Sequence, residues 1–269
     1  MNDSPTLLRM RLVSVVLAGL STAGAMAFVG WGMTGVAMVG PRAAVRIAAL
    51  APQIEITVLL VLGLPVWAGL LRAESSPAWR QAVAATRRGR RLRVWGAAST
   101  QLKSVGAILL AGGFVWVLAS LVGLGPSLGE IARVRLVLLA FAVFGVGLGL
   151  WARAVWPGPA AAVGTCMFVL VAMAATPLAV APVIAVAGAS QPLIQASILL
   201  NPWIVTAGIS RLDILRMQWV YALSPLGAVE ASYPSLGLAV AVYGGAGVLL
   251  LLLAVRALRT RRNTYGPGR

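Results

Sequence analysis

The chain has 269 residues, of which 60% are apolar and only 10% charged, and its mean hydropathy is +0.92. Those values lie far outside the range of a soluble domain of this length and identify a polytopic membrane protein. A formal net charge of +16 would suit nucleic acid only on a soluble fold with a basic face, and here most basic residues flank apolar runs, so nucleic-acid binding is excluded.

Cys166 is the single cysteine and lies inside an apolar run, so neither an intrachain disulfide nor a cysteine metal cluster is expected. There is no histidine, which removes a Ser-His-Asp triad, a His-ligated zinc and an axial-His haem from what this chain can build alone.

In chain order, a short polar head leads into an apolar run at 12–31. Twenty residues at 1.5 Å each cover about 30 Å, the thickness of the hydrocarbon core. Arg9 and Arg11 ahead of this run, with Ala23-Gly24-Ala25 inside it, have the look of a signal peptide. The run continues past that point and five more follow, which favours an uncleaved first helix. Gly40-Pro41 and Pro52 lead to the second run at 54–71, which carries Glu55 at its outer end.

A basic segment, 72–103, then interrupts the apolar pattern and holds eight of the 22 Lys and Arg residues. The third run spans 104–124 and closes on Gly125-Pro126; the fourth spans 134–152, where Gly145, Gly147 and Gly149 would let another helix come close. The fifth starts after Trp156-Pro157-Gly158-Pro159 and is apolar for too long to be one untilted span. Pro177 and Pro182 are expected to break it, leaving a helix at 160–176 and a partly re-entrant or interfacial segment after it. The more polar stretch at about 189–234 reads as an external cap, with Asn201, Pro202, Asp213, Arg216, Pro225 and Tyr233 as its marked residues. The last run, 236–255, ends in an Arg-rich tail.

The expected fold is therefore all-α, one domain of six transmembrane helices with both termini on one side. With the termini inside, the cytoplasmic face collects Arg9, Arg11, the eight basic residues of 72–103, Arg153 and the five arginines of the C-terminal end. The other face receives Arg42, Arg46, Arg133, Arg135, Arg211 and Arg216, and the positive-inside rule then makes both termini cytoplasmic. Intramembrane ionisable residues, the usual pointer to an ion or proton relay, are nearly missing from the six runs. The phosphate-cradling GxxxxGK[ST] pattern is absent too, since the only lysine, Lys103, follows Leu102. No cofactor is expected in this chain, and any ATP would be bound by another subunit.

Four features resemble the membrane permease subunits of ABC transporters of the second, export-related type. One is the order of spans, with both ends inside, a basic loop between the second and third spans and an external region before the sixth. Another is Glu74 followed by Thr86-Arg87-Arg88-Gly89-Arg90-Arg91, similar to the family's acidic loop start and Thr-Pro-Leu-Ser-Arg-like turn, with Arg87 where the family has proline. The third is Leu148-Gly149-Leu150-Trp151-Ala152-Arg153 with Ala160-Ala161-Ala162, like the family's small-residue fourth span, short basic turn and alanine-rich fifth span. The fourth is Leu200-Asn201-Pro202, Asp213-Ile214-Leu215-Arg216, Leu223-Ser224-Pro225-Leu226-Gly227 and Tyr233-Pro234, similar to a bacterial branch.

The resemblance implies a coupling helix in the 72–103 loop that docks on two cytoplasmic ABC ATPase subunits, which carry ATP and Mg, and pairing with a second copy or a sister permease in a bacterial inner (cytoplasmic) membrane. It implies nucleotide-driven expulsion of cargo, and the apolar span composition suits an apolar or amphipathic solute that is drug-, lipid- or peptide-like. From the residues themselves, Pro77 suits a first helical turn, and Trp79, Ala82 and Val83 fall on one face. Glu74, Arg80 and Thr86 complete the docking candidates. The same segment also suits a helix on the inner leaflet, with Arg87, Arg88, Arg90, Arg91 and Arg93 against anionic membrane lipids. Two other classes stay open: a non-transporting scaffold or regulatory subunit of a membrane complex, and a membrane-embedded transferase or protease. Missing histidine and the lack of paired carboxylates in the spans weigh against the latter.

Overall fold

The computed structural model describes residues 87–121, 126–156, 159–187, 190–211 and 232–264. The described residues are helical, without strands: α1 (Arg87–Leu121), α2 (Leu128–Val155), α3 (Pro159–Ala187), α4 (Gln191–Leu200), α5 (Pro202–Ile209) and α6 (Leu236–Thr264). α1, α2, α3 and α6 are long and apolar enough to cross a membrane, and α4 with α5 form a pair that qualifies jointly but is bent by 90°. The runs expected at 12–31 and 54–71, and with them the six-span count and both termini, lie outside the described residues.

α2 is the axis of the bundle. In its apolar span 72% of residues are buried, against 17% for α3, and from Phe144 to Leu150 every residue is buried. A helix apolar all round finds its place where neighbours cover most of it, and α1, α3, α5 and α6 do so here, leaving Leu136 and Leu139 exposed. Its start is set by a capping box: Glu130 N donates to Ser127 Oγ at 3.3 Å and Ser127 N donates to Glu130 Oε2 at 3.0 Å. That cap begins the helix at Leu128, six residues before the charge-poor run at 134–152 from which the sequence was read.

The closest approach is between α2 and α6. A Cβ on Gly247 would lie 2.6 Å from the carbonyl of Val143 and the amide of Phe144, and one on Gly147 would strike the Gly247 carbonyl group. The two helices therefore touch backbone to backbone, the close contact that small residues permit between membrane helices. Gly147 belongs to the expected glycine run; its partner Gly247 was not singled out.

Two helices depart from the expected bounds. α3 runs through both prolines to Ala187 instead of stopping at 176. Pro177 cannot donate to the carbonyl four residues back, and the freed Met173 oxygen is taken by Thr176 Oγ1 at 2.7 Å. Side-chain repair of this kind lets a membrane helix keep a proline in its interior. α1 starts at Arg87, seventeen residues before the expected third span, so the Arg87–Arg93 stretch is helical and continuous with that span. Arginine is a good helix former, and the glycines at 89 and 96 cost too little to end a helix of 35 residues.

Candidate functional site

The most unusual local structure is the corner between α4 and α5. Pro202 has no N–H and a fixed φ, which suits the first helical position and pushes Asn201 before it into extended backbone, at φ −95° and ψ 106°. Asn201 thus ends α4 and caps α5 at once: its Oδ1 accepts from the amides of Trp203 at 3.1 Å and Ile204 at 3.0 Å. Its Nδ2 donates to the Ala174 carbonyl of α3 at 3.0 Å. That carbonyl sits in the turn before Pro177, so one buried side chain serves that turn of α3 and the break between α4 and α5.

The carbonyls left over at the end of α4 are also served. Ile198 O accepts from Asn201 N at 3.2 Å, Leu199 O from Tyr243 Oη of α6 at 2.8 Å, and Ser197 O lies 3.3 Å from Thr176 Oγ1. Tyr243 is held by the rings of α2, with Phe141 at 4.1 Å and Phe144 at 5.8 Å between centroids, both edge-on. Ser197 and Thr206 turn their buried hydroxyls back to Ile194 O and Pro202 O, each at 2.8 Å. Three long helices thus converge on a break whose polar groups are met by protein, the condition for irregular backbone at membrane depth.

At its far end α5 is tied to the start of α2. Arg211 has a left-handed φ of 57°, and its Nε is 3.1 Å from Glu130 Oε1, the carboxylate of the capping box. Tyr233 packs on Ile194, Ile198 and Ile204 and over Gly208, where a Cβ would meet its ring. Gln195 Nε2 donates to Ser232 Oγ at 2.9 Å and joins the same segment to α4. Among the described residues no group of three or more His, Cys, Asp and Glu side chains is placed to hold a metal.

Of the residues marked in advance, Asn201, Pro202 and Tyr233 are brought into this corner. Arg87, Arg88, Arg90, Arg91 and Arg93 fall on the first two turns of α1. Glu74, Trp79, Arg80, Ala82, Val83, Thr86, Asp213, Arg216 and Pro225 lie outside the described residues. Thr176 and Tyr243 were missed, though each left a trace: a hydroxyl directly before a proline, and a lone phenol in an apolar run.

Removing only the Tyr243 hydroxyl measures the seal. Tyr243→Phe keeps the ring against Phe141 and orphans Leu199 O, and should cost about 1 kcal/mol, a fall of about 3 °C in the thermal midpoint of the purified protein in detergent. An unchanged midpoint would show that another donor serves that carbonyl.

Comparison with protein-family models, curated proteins and solved structures returns no match.

Proposed function

We propose that this chain is the permease subunit of an ATP-driven exporter, inserted in a bacterial inner membrane with both termini cytoplasmic. It forms the path for an apolar or amphipathic solute and is driven by two separate cytoplasmic ATPases that bind ATP and Mg. Two copies, or this chain and a sister permease, complete the transporter.

The observation that carries this reading is the broken helix pair at Asn201, enclosed by α2, α3 and α6. Discontinuous helices inside a bundle of spans are a recurring feature of transport proteins, because freed backbone groups and a flexible break can serve a moving solute. A scaffold that only holds partners together has no need of a sealed break at such depth.

The form of α1 adds to it. The apolar stretch of α1 starts at Gln101, and Arg87 to Arg93 precede it by eight to fourteen residues, about 12 to 21 Å along the axis. A helix continuous with a span cannot also lie flat on the leaflet. The basic turns therefore favour a rod reaching into the cytoplasm over a lipid-bound surface helix.

Affinity capture of the tagged chain from native membranes should bring down a nucleotide-binding subunit. The double substitution Trp79→Asp with Val83→Asp should insert normally and lose at least tenfold in that capture, as expected for charges placed in an apolar docking face. Capture that returns no nucleotide-binding subunit would leave a membrane scaffold as the reading.

A further inference from the structure

α6 carries small residues on two sides. Gly247 faces inward and makes the backbone contact with α2. Gly245, two residues earlier and so about 200° around the axis, belongs to the outward face together with Gly237 and Ala241. These three are exposed, recur at every fourth position and occupy the outer half of the span, and a Cβ on Gly237 or Gly245 would meet nothing within 4 Å. Further in on the same face the residues are large: Val248, Leu249 and Leu252 are 46%, 56% and 53% exposed.

Hydrocarbon tails are met as well by leucine, and each glycine inside a helix costs about 1 kcal/mol relative to alanine. Small residues in series instead form a groove that lets a second helix come close. The chain holds a run of matching form outside the described residues: in 12–31, Gly19, Ala23 and Ala27 also recur at every fourth position. The other such run, 54–71, has Pro65 in its middle and no two Gly or Ala residues four apart. In the six-span order the first and last spans run in opposite directions. With their outer ends level, at Trp31 and Leu236, Ala27 meets Ala241 and Ala23 meets Gly245 to within one residue, about 1.5 Å.

We propose that the Gly237-Ala241-Gly245 face of α6 is the seat of the first span, with Gly19, Ala23 and Ala27 packed antiparallel against it. α6 is then gripped by close contacts on two opposite sides, α2 at Gly247 and the first span at Gly245. The pairing closes the bundle by joining its first and last spans, and it sets the two ends of the chain beside each other on one side of the membrane.

The test is disulfide formation in the full chain in native membranes, with Cys166→Ser and a protease site inserted after Ser76. After oxidation and cleavage, Ala27→Cys with Ala241→Cys should keep the two fragments joined until a reductant is added. Ala27→Cys with Val240→Cys, about 100° around α6, should join them at least fivefold less. Gly245→Leu supplies a second readout, because the sign of its effect depends on what covers this face. Against lipid alone, leucine is the better helix former and the described residues leave it room, so the thermal midpoint would rise. Against the first span it overpacks the contact, and the midpoint should fall by about 5 °C while the Ala27–Ala241 linkage drops at least tenfold. Fragments that separate, equal linkage at Ala241 and Val240, or a midpoint that rises overturns the proposal. A disulfide-linked dimer formed by Ala241→Cys alone also overturns it, and would seat a second copy on this face. If Gly245→Leu does not insert, the cysteine pairs decide. No ATPase takes part, so the outcome is separate from that of the capture experiment.

Discussion

Gly247→Ala is expected to disrupt the bundle more than any other single-methyl change. The added carbon would sit 2.6 Å from the Val143 carbonyl and the Phe144 amide, which are backbone atoms of the central helix and cannot rotate aside. Either α6 moves away from α2 or both helices bend. Parting them loosens the contact of Tyr243 with Phe141 and Phe144 and the hydrogen bond from Tyr243 to Leu199 O. Overpacking a tight interior costs about 1–3 kcal/mol, and a backbone clash belongs at the upper end. The thermal midpoint of the purified protein should fall by about 8 °C. Gly244→Ala, on the same helix with open space around it, should stay within about 0.5 kcal/mol of the parent. Equal midpoints for the two variants would show that α2 and α6 are not in backbone contact at Gly247.

Asn201→Ala is expected to rank next and to act locally. It removes both acceptor bonds to Trp203 N and Ile204 N and the donor bond to Ala174 O, leaving those groups unmet in a buried corner. Loss of a cap costs about 1 kcal/mol, and stranded buried groups add to it, for a total of about 3 kcal/mol. Asn201→Ser keeps a capping oxygen and loses only the reach to α3, so about 1 kcal/mol is expected. Hydrogen exchange separates the two effects: in the alanine variant the amides of Trp203 and Ile204 should lose protection at least tenfold, while those of α2 near Phe141 hold theirs. Unchanged exchange at Trp203 and Ile204 would mean that Asn201 does not cap α5.

Much of the site could be read from residue order, and the reason differs from residue to residue. Asn201-Pro202 was marked as part of a polar stretch, yet a capping side chain followed by a residue without an N–H specifies a helix end and a new start through local chemistry alone. Tyr233 was marked by the proline after it, but its role came from Gly208, which is 25 residues away and leaves room for the ring. Thr176 and Tyr243 were not marked, since a hydroxyl or a phenol in an apolar run gains meaning only from the group it meets. Pro177 was misread for the same reason. Its local effect is to end a helix, and two side chains, Thr176 from its own helix and Asn201 from the next, offset that effect at Met173 O and Ala174 O.

By itself the sequence determined that this protein is a membrane protein of apolar helices, since only helices about twenty residues long satisfy their backbone in lipid and such runs are plain in composition. The starts of α2 and α5 also rest on local chemistry, since the Ser127-Glu130 box and the Asn201-Pro202 pair act over three or four residues, although the run of α2 was expected from 134 and no start was read at 202. Tertiary structure decided which helix is central, which glycines touch, that α3 runs through its prolines, and that α4 and α5 meet at 90°. Those outcomes depend on contacts between residues far apart in the chain. In lipid, helices of similar hydropathy are told apart only by fit and by hydrogen bonds between them.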